Sequence, residues 1–267
     1  ECEGLAAAGL GDDLLLANEV LDARRLGALV AAGHRVTLCV DSPETVEAAA
    51  AGGVREVVID VNVGLPRCGC PPGEAGALAE LAASRGLEVR GVQGYEGHVV
   101  GLEDADERTA KCRESMEMLR EAHKAVGGEL MTAGGTGTYA INTWASEIQA
   151  GTYVLMDSAY GRLNLPFRQA VYVLATVIST SAAGWSVLDA GLKAFGMDHG
   201  NPAIDGSSVW FCSDEHLTFS PTRPVGDRVL VTPAHLDPTV AYHERMYLAD
   251  LASGEVLEIW PVDLRGW

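Results

Sequence analysis

Leu130-Met-Thr-Ala133-Gly134-Gly135-Thr136-Gly137-Thr138-Tyr139 reads as a short apolar strand running directly into a glycine-rich turn. Glycines let backbone N–H groups approach an anion closely, a helix start favours negative charge, and threonine hydroxyls add donors. With Tyr139 to Gln149 read as helical, the stretch is one βα unit carrying a phosphate site at the C-terminal end of its strand. The site residues are then Gly134, Gly135, Thr136 and Gly137. A plain strand-to-helix turn is the competing reading, and a P-loop is excluded because no lysine follows the last glycine.

The same rhythm extends upstream. Leu14 to Val20, Val36 to Asp41, Val57 to Asn62, Val89 to Gln93, Leu130 to Ala133 and Tyr153 to Asp157 are strand-like, and Ala75 to Arg85 and Ala105 to Ala125 have helical length and spacing. Strand and helix in alternation imply βαβ units and a parallel sheet across residues 1–165. From residue 166 to 267 the pattern changes. Val171 to Ser179, Ser208 to Cys212, Arg228 to Thr232 and Ala241 to Leu248 are separated by Gly, Pro, Asp and Ser without a long helix, which predicts an antiparallel sheet or small β-barrel.

The chain has 267 residues and a formal charge of −18, with 37 acidic against 19 basic side chains. No Lys/Arg cluster is available to neutralise phosphates, so nucleic acid and anionic membrane are not expected partners. No apolar run approaches the roughly 20 residues of a membrane helix. Six scattered cysteines suit free thiols in a reducing cytoplasm, and the acidic start at Glu1 and Glu3 is unlike the basic start of a secretion signal.

A second chemical signal is Val231-Thr-Pro-Ala-His235-Leu-Asp237-Pro. In an extended segment, residues two apart share a face, so His235 and Asp237 could reach one metal ion; a solvated turn between two prolines is the alternative. Arg67, just past the strand Val57 to Asn62, could donate to an oxyanion. Gln93 and Tyr95 alternate off the next strand with polar ends, although either could be a hydrogen-bonded core residue. His98 is a candidate base, Tyr160 follows the last expected parallel strand, and Asp214, Glu215 and His216 form a further polar cluster.

Five ordered segments carry a resemblance: Val61 to Gly69, Gly91 to His98, Thr132 to Tyr139, Asp189 to Ala194 and the H-x-D at His235. Together they resemble the D-threonine aldolase and D-serine dehydratase group of pyridoxal phosphate enzymes, relatives of alanine racemase. The resemblance implies a TIM-like α/β barrel followed by a mainly antiparallel β-domain, and a homodimer. It also implies phosphate binding at the 134–137 loop and Tyr160, with Arg67 on the cofactor's phenolic oxygen and Gln93 and Tyr95 beside the ring. His98 would be the catalytic base, although some family aldolases place that base at the position of Gly101.

The D-serine dehydratases of this group use cysteine where this chain has Asp237. Imidazole with carboxylate suits manganese, magnesium or cobalt better than zinc. The implied activity is therefore metal-assisted cleavage of a D-3-hydroxy amino acid to glycine and an aldehyde. Elimination from D-serine or 3-hydroxy-D-aspartate, or a non-catalytic cofactor-binding role, are the alternatives. Six strands against an expected eight, with residue 1 opening inside a helix, predict a barrel lacking its first strands and the lysine to which the family attaches the cofactor. Lys111 and Lys124 fall on a charged helix, and Lys193 matches a family lysine that is not the attachment point.

Overall fold

Six parallel strands in sequential order form the first unit: β1 Asp13–Leu16, β2 Arg35–Val40, β3 Glu56–Asp60, β4 Glu88–Gly94, β5 Leu130–Ala133 and β6 Glu147–Ile148. The structure is a computed structural model and describes residues 1–265. Helices α1 Cys2–Ala7, α2 Arg24–Ala31, α3 Pro43–Gly52, α4 Ala75–Ser84 and α5 Ala105–Val126 alternate with the strands. Sequential order with helical crossovers is the winding of an α/β barrel, here a parallel half-barrel sheet.

Burial follows from this layering. In β2 every residue after Arg35 is buried, because a parallel strand is covered on both faces. Helix α3 is delimited by its own sequence: Ser42 and Thr45 form a capping box, Pro43 opens the first turn, and Gly53 closes the helix at φ 87°. Helix α5 begins where the Asp104 side chain accepts the Asp106 and Glu107 N–H groups, and it buries Cys112, Met116, Leu119 and Ala122 at helical spacing. Contacts divide the chain into Glu1–Gly151 and the remainder from Thr152.

Two expected elements in this region differ. The helix expected over Tyr139 to Gln149 is a series of turns leading to β6. A single α-type turn forms, with the Asn142 N–H on the Thr138 carbonyl, but Ser146 then turns back onto Met131 through both its N–H and its hydroxyl. That side chain-to-backbone bonding ends the helix. The strand expected over Tyr153 to Asp157 is a 3-10 turn, Thr152–Val154, followed by Met156 at φ 61°. Asp157 then caps α6 (Ser158–Gly161), accepting the Tyr160 N–H at 2.9 Å.

The second unit holds a five-stranded antiparallel sheet in the order β11-β7-β8-β10-β9, made from β7 Val173–Thr180, β8 Ser186–Leu188, β9 Ser208–Cys212, β10 Leu217–Ser220 and β11 Arg228–Val231. Its core is built from Ala175, Val177, Leu188, Phe195, Leu217, Phe219, Val229 and Val231. Helix α7 (Leu236–Tyr242) and a hairpin of β12 Arg245–Ala249 with β13 Val256–Pro261 follow. Ala241 and Tyr242, expected in a strand, instead close α7. Its Pro238 lies in the first turn, where a missing N–H costs nothing. Among the described residues, no helix is long and apolar enough to cross a membrane.

Candidate cofactor and metal sites

The loops leaving β3, β4 and β5 bring three of the expected residues together. The Arg67 guanidinium carbon lies 5.2 Å from the centroid of the Tyr95 ring, a cation–π approach. A Cβ on Gly135 would sit 3.4 Å from that same ring and 3.1 Å from Val100, so the glycine packs closely against Tyr95. The loop bearing Arg67 is held by short bonds. Asn62 donates to the Leu65 carbonyl at 2.8 Å and accepts the Gly64 N–H at 2.9 Å, while Gly69 donates to Asp41 at 3.2 Å. A Cβ at Gly69, where φ is 103°, would strike Asn62 N at 2.5 Å, so only glycine fits.

His98 is exposed and lies over the same loop: its Cε1 and Nε2 would be 2.9 Å from a Cβ on Gly64. Gln93 is set differently. It is 3% exposed, accepts from Cys39 at 3.0 Å and Gln149 at 3.1 Å, and donates to Asp60 at 3.2 Å, so its amide is engaged within the strand ends.

The glycine-rich loop has an unusually complete interior. Gly134 adopts φ 86°, and its N–H donates to Glu96 at 3.2 Å. Thr138 donates its hydroxyl to the other Glu96 oxygen at 2.6 Å while accepting the Gly135 N–H at 3.1 Å. The N–H groups of Gly134 and Gly135 therefore face inward, and Thr136 and Gly137 form the span between these anchors. Behind Gly134, Asn142 is 2% exposed with neither amide atom paired, and its Nδ2 is 3.3 Å from where a Gly134 Cβ would lie. A buried amide with donors to spare, next to a turn that only glycine can adopt, fits an anion-binding loop.

Around the same strand ends gather Glu19, Asp41 and Cys68, whose ligand atoms lie within 4.8 Å of one another, and Asp60. Burial, then the adjacent Glu19, pushes the Asp60 carboxyl up to about 8. A hydrogen bond to Glu19, together with burial, pushes the Cys68 thiol up to about 11.

In the second unit, His235 caps the start of α7 and Asp237 lies in its first turn, rather than on an extended strand. Their nearest ligand atoms, His235 Nε2 and Asp237 Oδ2, are nonetheless 3.8 Å apart. The other ring nitrogen, Nδ1, is 2.5 Å from Asp198. A carboxylate on one imidazole nitrogen fixes the tautomer and presents the other nitrogen to a metal. Burial tends to raise the Asp198 carboxyl, but hydrogen bonds from His235 and the backbone, together with the neighbouring His235 and His199 rings, hold the group below the usual carboxylate range.

Asp198, His199 and His235 form a three-residue cluster within 4.8 Å, yet the two rings are stacked with centroids 3.9 Å apart and planes 10° from parallel. Lone pairs lying in parallel planes converge poorly on one ion, and Asp198 already occupies Nδ1 of His235. Asp198 reaches His235 because Gly196 bridges to it as an antiparallel pair and donates its N–H to Thr239 at 2.9 Å.

Tyr160 lies on α6, whose capping residue Asp157 is fully buried and uses its second oxygen to accept the Leu236 N–H of α7 at 3.1 Å. Asp214, Glu215 and His216 form the exposed turn between β9 and β10, where Glu215 pairs with Lys193. Sequence reading missed Glu96, Asp157 and Asp198. Only the position of Glu96 inside Gly94-Tyr95-Glu96-Gly97 hinted at a constrained carboxylate.

Residues 1–159 match the family model described as "Alanine racemase, N-terminal domain", and residues 170–249 match the "Putative serine dehydratase domain". A 3-hydroxy-D-aspartate aldolase of Paracoccus denitrificans (strain Pd 1222) is 30% identical across the whole of this chain and 76% of its own length. A D-threonine aldolase of an Arthrobacter species is 31% identical over 98% of this chain and 76% of its own. Among solved structures, the D-threonine aldolase from Filomicrobium marinum superposes with a TM-score of 0.90 at 31% identity, over 99% of this chain and 79% of that one. D-threo-3-hydroxyaspartate dehydratase from Delftia sp. HT23 shares the fold at a TM-score of 0.80 and 24% identity, over 100% of this chain and 82% of that one.

Proposed function

The chain belongs to the alanine racemase N-terminal domain family, and on that premise we propose that it is a pyridoxal phosphate- and divalent-metal-dependent lyase cleaving D-3-hydroxy amino acids to glycine and an aldehyde. The observation that carries this reading is the meeting of Arg67, Tyr95 and Gly135 at the C-terminal ends of three consecutive parallel strands, where α/β barrels carry their chemistry. Pyridoxal phosphate, when bound, supplies an electron sink for the pair released as the Cα–Cβ bond breaks.

The chain's residues divide the remaining work. The Gly134–Gly137 loop is assigned to the phosphate, and Tyr160 is a further phosphate candidate. Arg67, kept over the Tyr95 ring, offers planar donors to an oxyanion. Gln93, satisfied among Cys39, Asp60 and Gln149, sets the polar floor near the ring. His98, exposed above Gly64, takes the proton from the substrate's β-hydroxyl. His235 and Asp237 would hold manganese, magnesium or cobalt, which would acidify that hydroxyl. Lys111, Lys124 and Lys193 each pair with a glutamate on an exposed surface, and we assign none of them to the cofactor. Six free cysteines support a reducing, cytoplasmic setting, and the exposed Tyr247, Ile259 and Trp260 of the β12–β13 hairpin support a homodimer.

The test is product analysis. With pyridoxal phosphate, Mn²⁺ and D-threonine, the intact protein, carrying the family's attachment lysine, should release glycine and acetaldehyde in equal amounts, and a chelator should stop the release. Ammonia with 2-oxobutanoate in their place would overturn the carbon–carbon cleavage in favour of elimination.

A further inference from the structure

The Tyr95-Glu96-Gly97 turn contains a carboxylate that the proposed chemistry leaves unused. Glu96 is fully buried, yet no arginine or lysine accompanies it in the bonds it makes: its oxygens take the Gly134 N–H at 3.2 Å, the Thr138 hydroxyl at 2.6 Å and the Cys112 thiol at 3.8 Å. Burial, followed by the neighbouring Glu96, pushes the Cys112 thiol up to about 12, so it remains a donor. All three partners therefore give hydrogen to one carboxylate, and two of them bracket the glycine-rich loop at its first and last residues.

The arrangement has one consequence at Thr138. A hydroxyl has a single proton. Because Glu96 takes it, the Thr138 oxygen turns its lone pair to the Gly135 N–H, 3.1 Å away. Glu96 and Thr138 together hold Gly134 and Gly135 by their N–H groups, so the loop's conformation is set from its buried side before any ligand arrives. Pre-setting of this kind removes ordering cost at binding.

We propose that Glu96 is the positioning residue of the phosphate loop: without touching the ligand, it holds Gly134 and Thr138 so that the intervening residues present a preformed anion site. The inference rests on the assignment of this loop to the cofactor's phosphate. Glutamine replaces Glu96 imperfectly: with its oxygen on the Gly134 N–H, its NH₂ meets the Thr138 oxygen, which can accept it only by redirecting the hydroxyl proton to the Gly135 carbonyl at 3.5 Å, a longer bond than the one it gives up.

Fluorescence titration with pyridoxal phosphate and with pyridoxal, its dephosphorylated form, separates a role in the loop from a general one. Wild-type protein should prefer the phosphorylated compound. Glu96→Gln should lower affinity for pyridoxal phosphate at least about tenfold, the scale of a lost charge-assisted bond, while changing pyridoxal affinity less than about twofold. Inorganic phosphate should compete with the phosphorylated compound on wild type and fail to do so on the variant.

If Glu96→Gln fails to fold, Thr138→Val and Thr138→Ser carry the test. Valine should reproduce the selective loss, and serine, which keeps the hydroxyl, should restore wild-type preference. Equal weakening of both compounds by every variant, or no weakening of either, would overturn the role of Glu96. Absence of any preference in the wild type would instead overturn the phosphate assignment of the loop.

Discussion

The two ends of the parallel sheet both collect carboxylates, and they treat them in opposite ways. At the N-terminal end, Asp13, Glu56 and Glu129 surround the buried Arg90, with contacts of 2.8, 3.5 and 2.9 Å. The hydrogen bond from Arg90 holds the Glu129 carboxyl below the usual range. At the C-terminal end, Glu19, Asp41 and Asp60 gather with no arginine or lysine ion-paired to them among the described residues, and burial raises Asp60 to about 8. One end is satisfied and serves stability. The other keeps a buried carboxyl protonated, at the strand ends where barrels place their function.

Removing the cation should have the largest effect. Arg90→Met should destabilise the first unit by about 3 kcal/mol, because Asp13 and Glu129 can rehydrate but the oxygen of Thr37, fully buried and 2.7 Å from the guanidinium, loses its donor and keeps only the longer bond to Glu56. Urea unfolding measures this, and a loss under about 1 kcal/mol would erase the contrast between the ends.

Asp60 should behave in the opposite sense. Its folded value of about 8 lies above the ordinary 3.8, so between those pH values the folded chain keeps a proton that the unfolded chain has released. Its contribution to stability is fully present below about pH 4 and is lost as pH rises through about 8, by up to about 1.4 kcal/mol per pH unit. Asp60→Asn should flatten that decline in thermal melts taken from pH 5 to 8. An unchanged slope would mean the C-terminal end is as well balanced as the other.

A third carboxylate sharpens the comparison. Asp198 is paired with an imidazole rather than an arginine, and its worth should appear in metal binding. Asp198→Asn should weaken Mn²⁺ binding about tenfold in calorimetry, whereas His199→Ala should change it less than about twofold. The reverse ranking would make the stacked imidazole a ligand. The smallest effect belongs to Glu129→Gln, under about 1 kcal/mol in the same urea assay, since that side chain is 59% exposed and its pairing with Arg90 is screened by water.

Local signals carried much of this architecture. The apolar runs at Val36 and Val57, the helical stretch from Ala105 and the glycine-rich turn after Ala133 each act within a few residues, so their reading needed no tertiary contact. The same holds for Arg67 and Tyr95, placed by counting off strand ends. The short strands β8 and β10 were missed because three or four residues give too little periodicity. The helix expected after Thr138 failed for a different reason: Ser146 finds a better partner in Met131, fifteen residues away.

By itself, then, the amino-acid order determined the parallel sheet, the change to antiparallel strands and the residue types available for cofactor and metal, since propensity, period and turn chemistry are properties of short windows. Tertiary structure alone decided which of those residues act together. Glu96 reaches Thr138 across 42 positions, Asp198 reaches His235 across 37, and Asp157 caps a helix 79 residues downstream. A buried carboxylate needs donors close enough to bond, and only the folded chain brings them there.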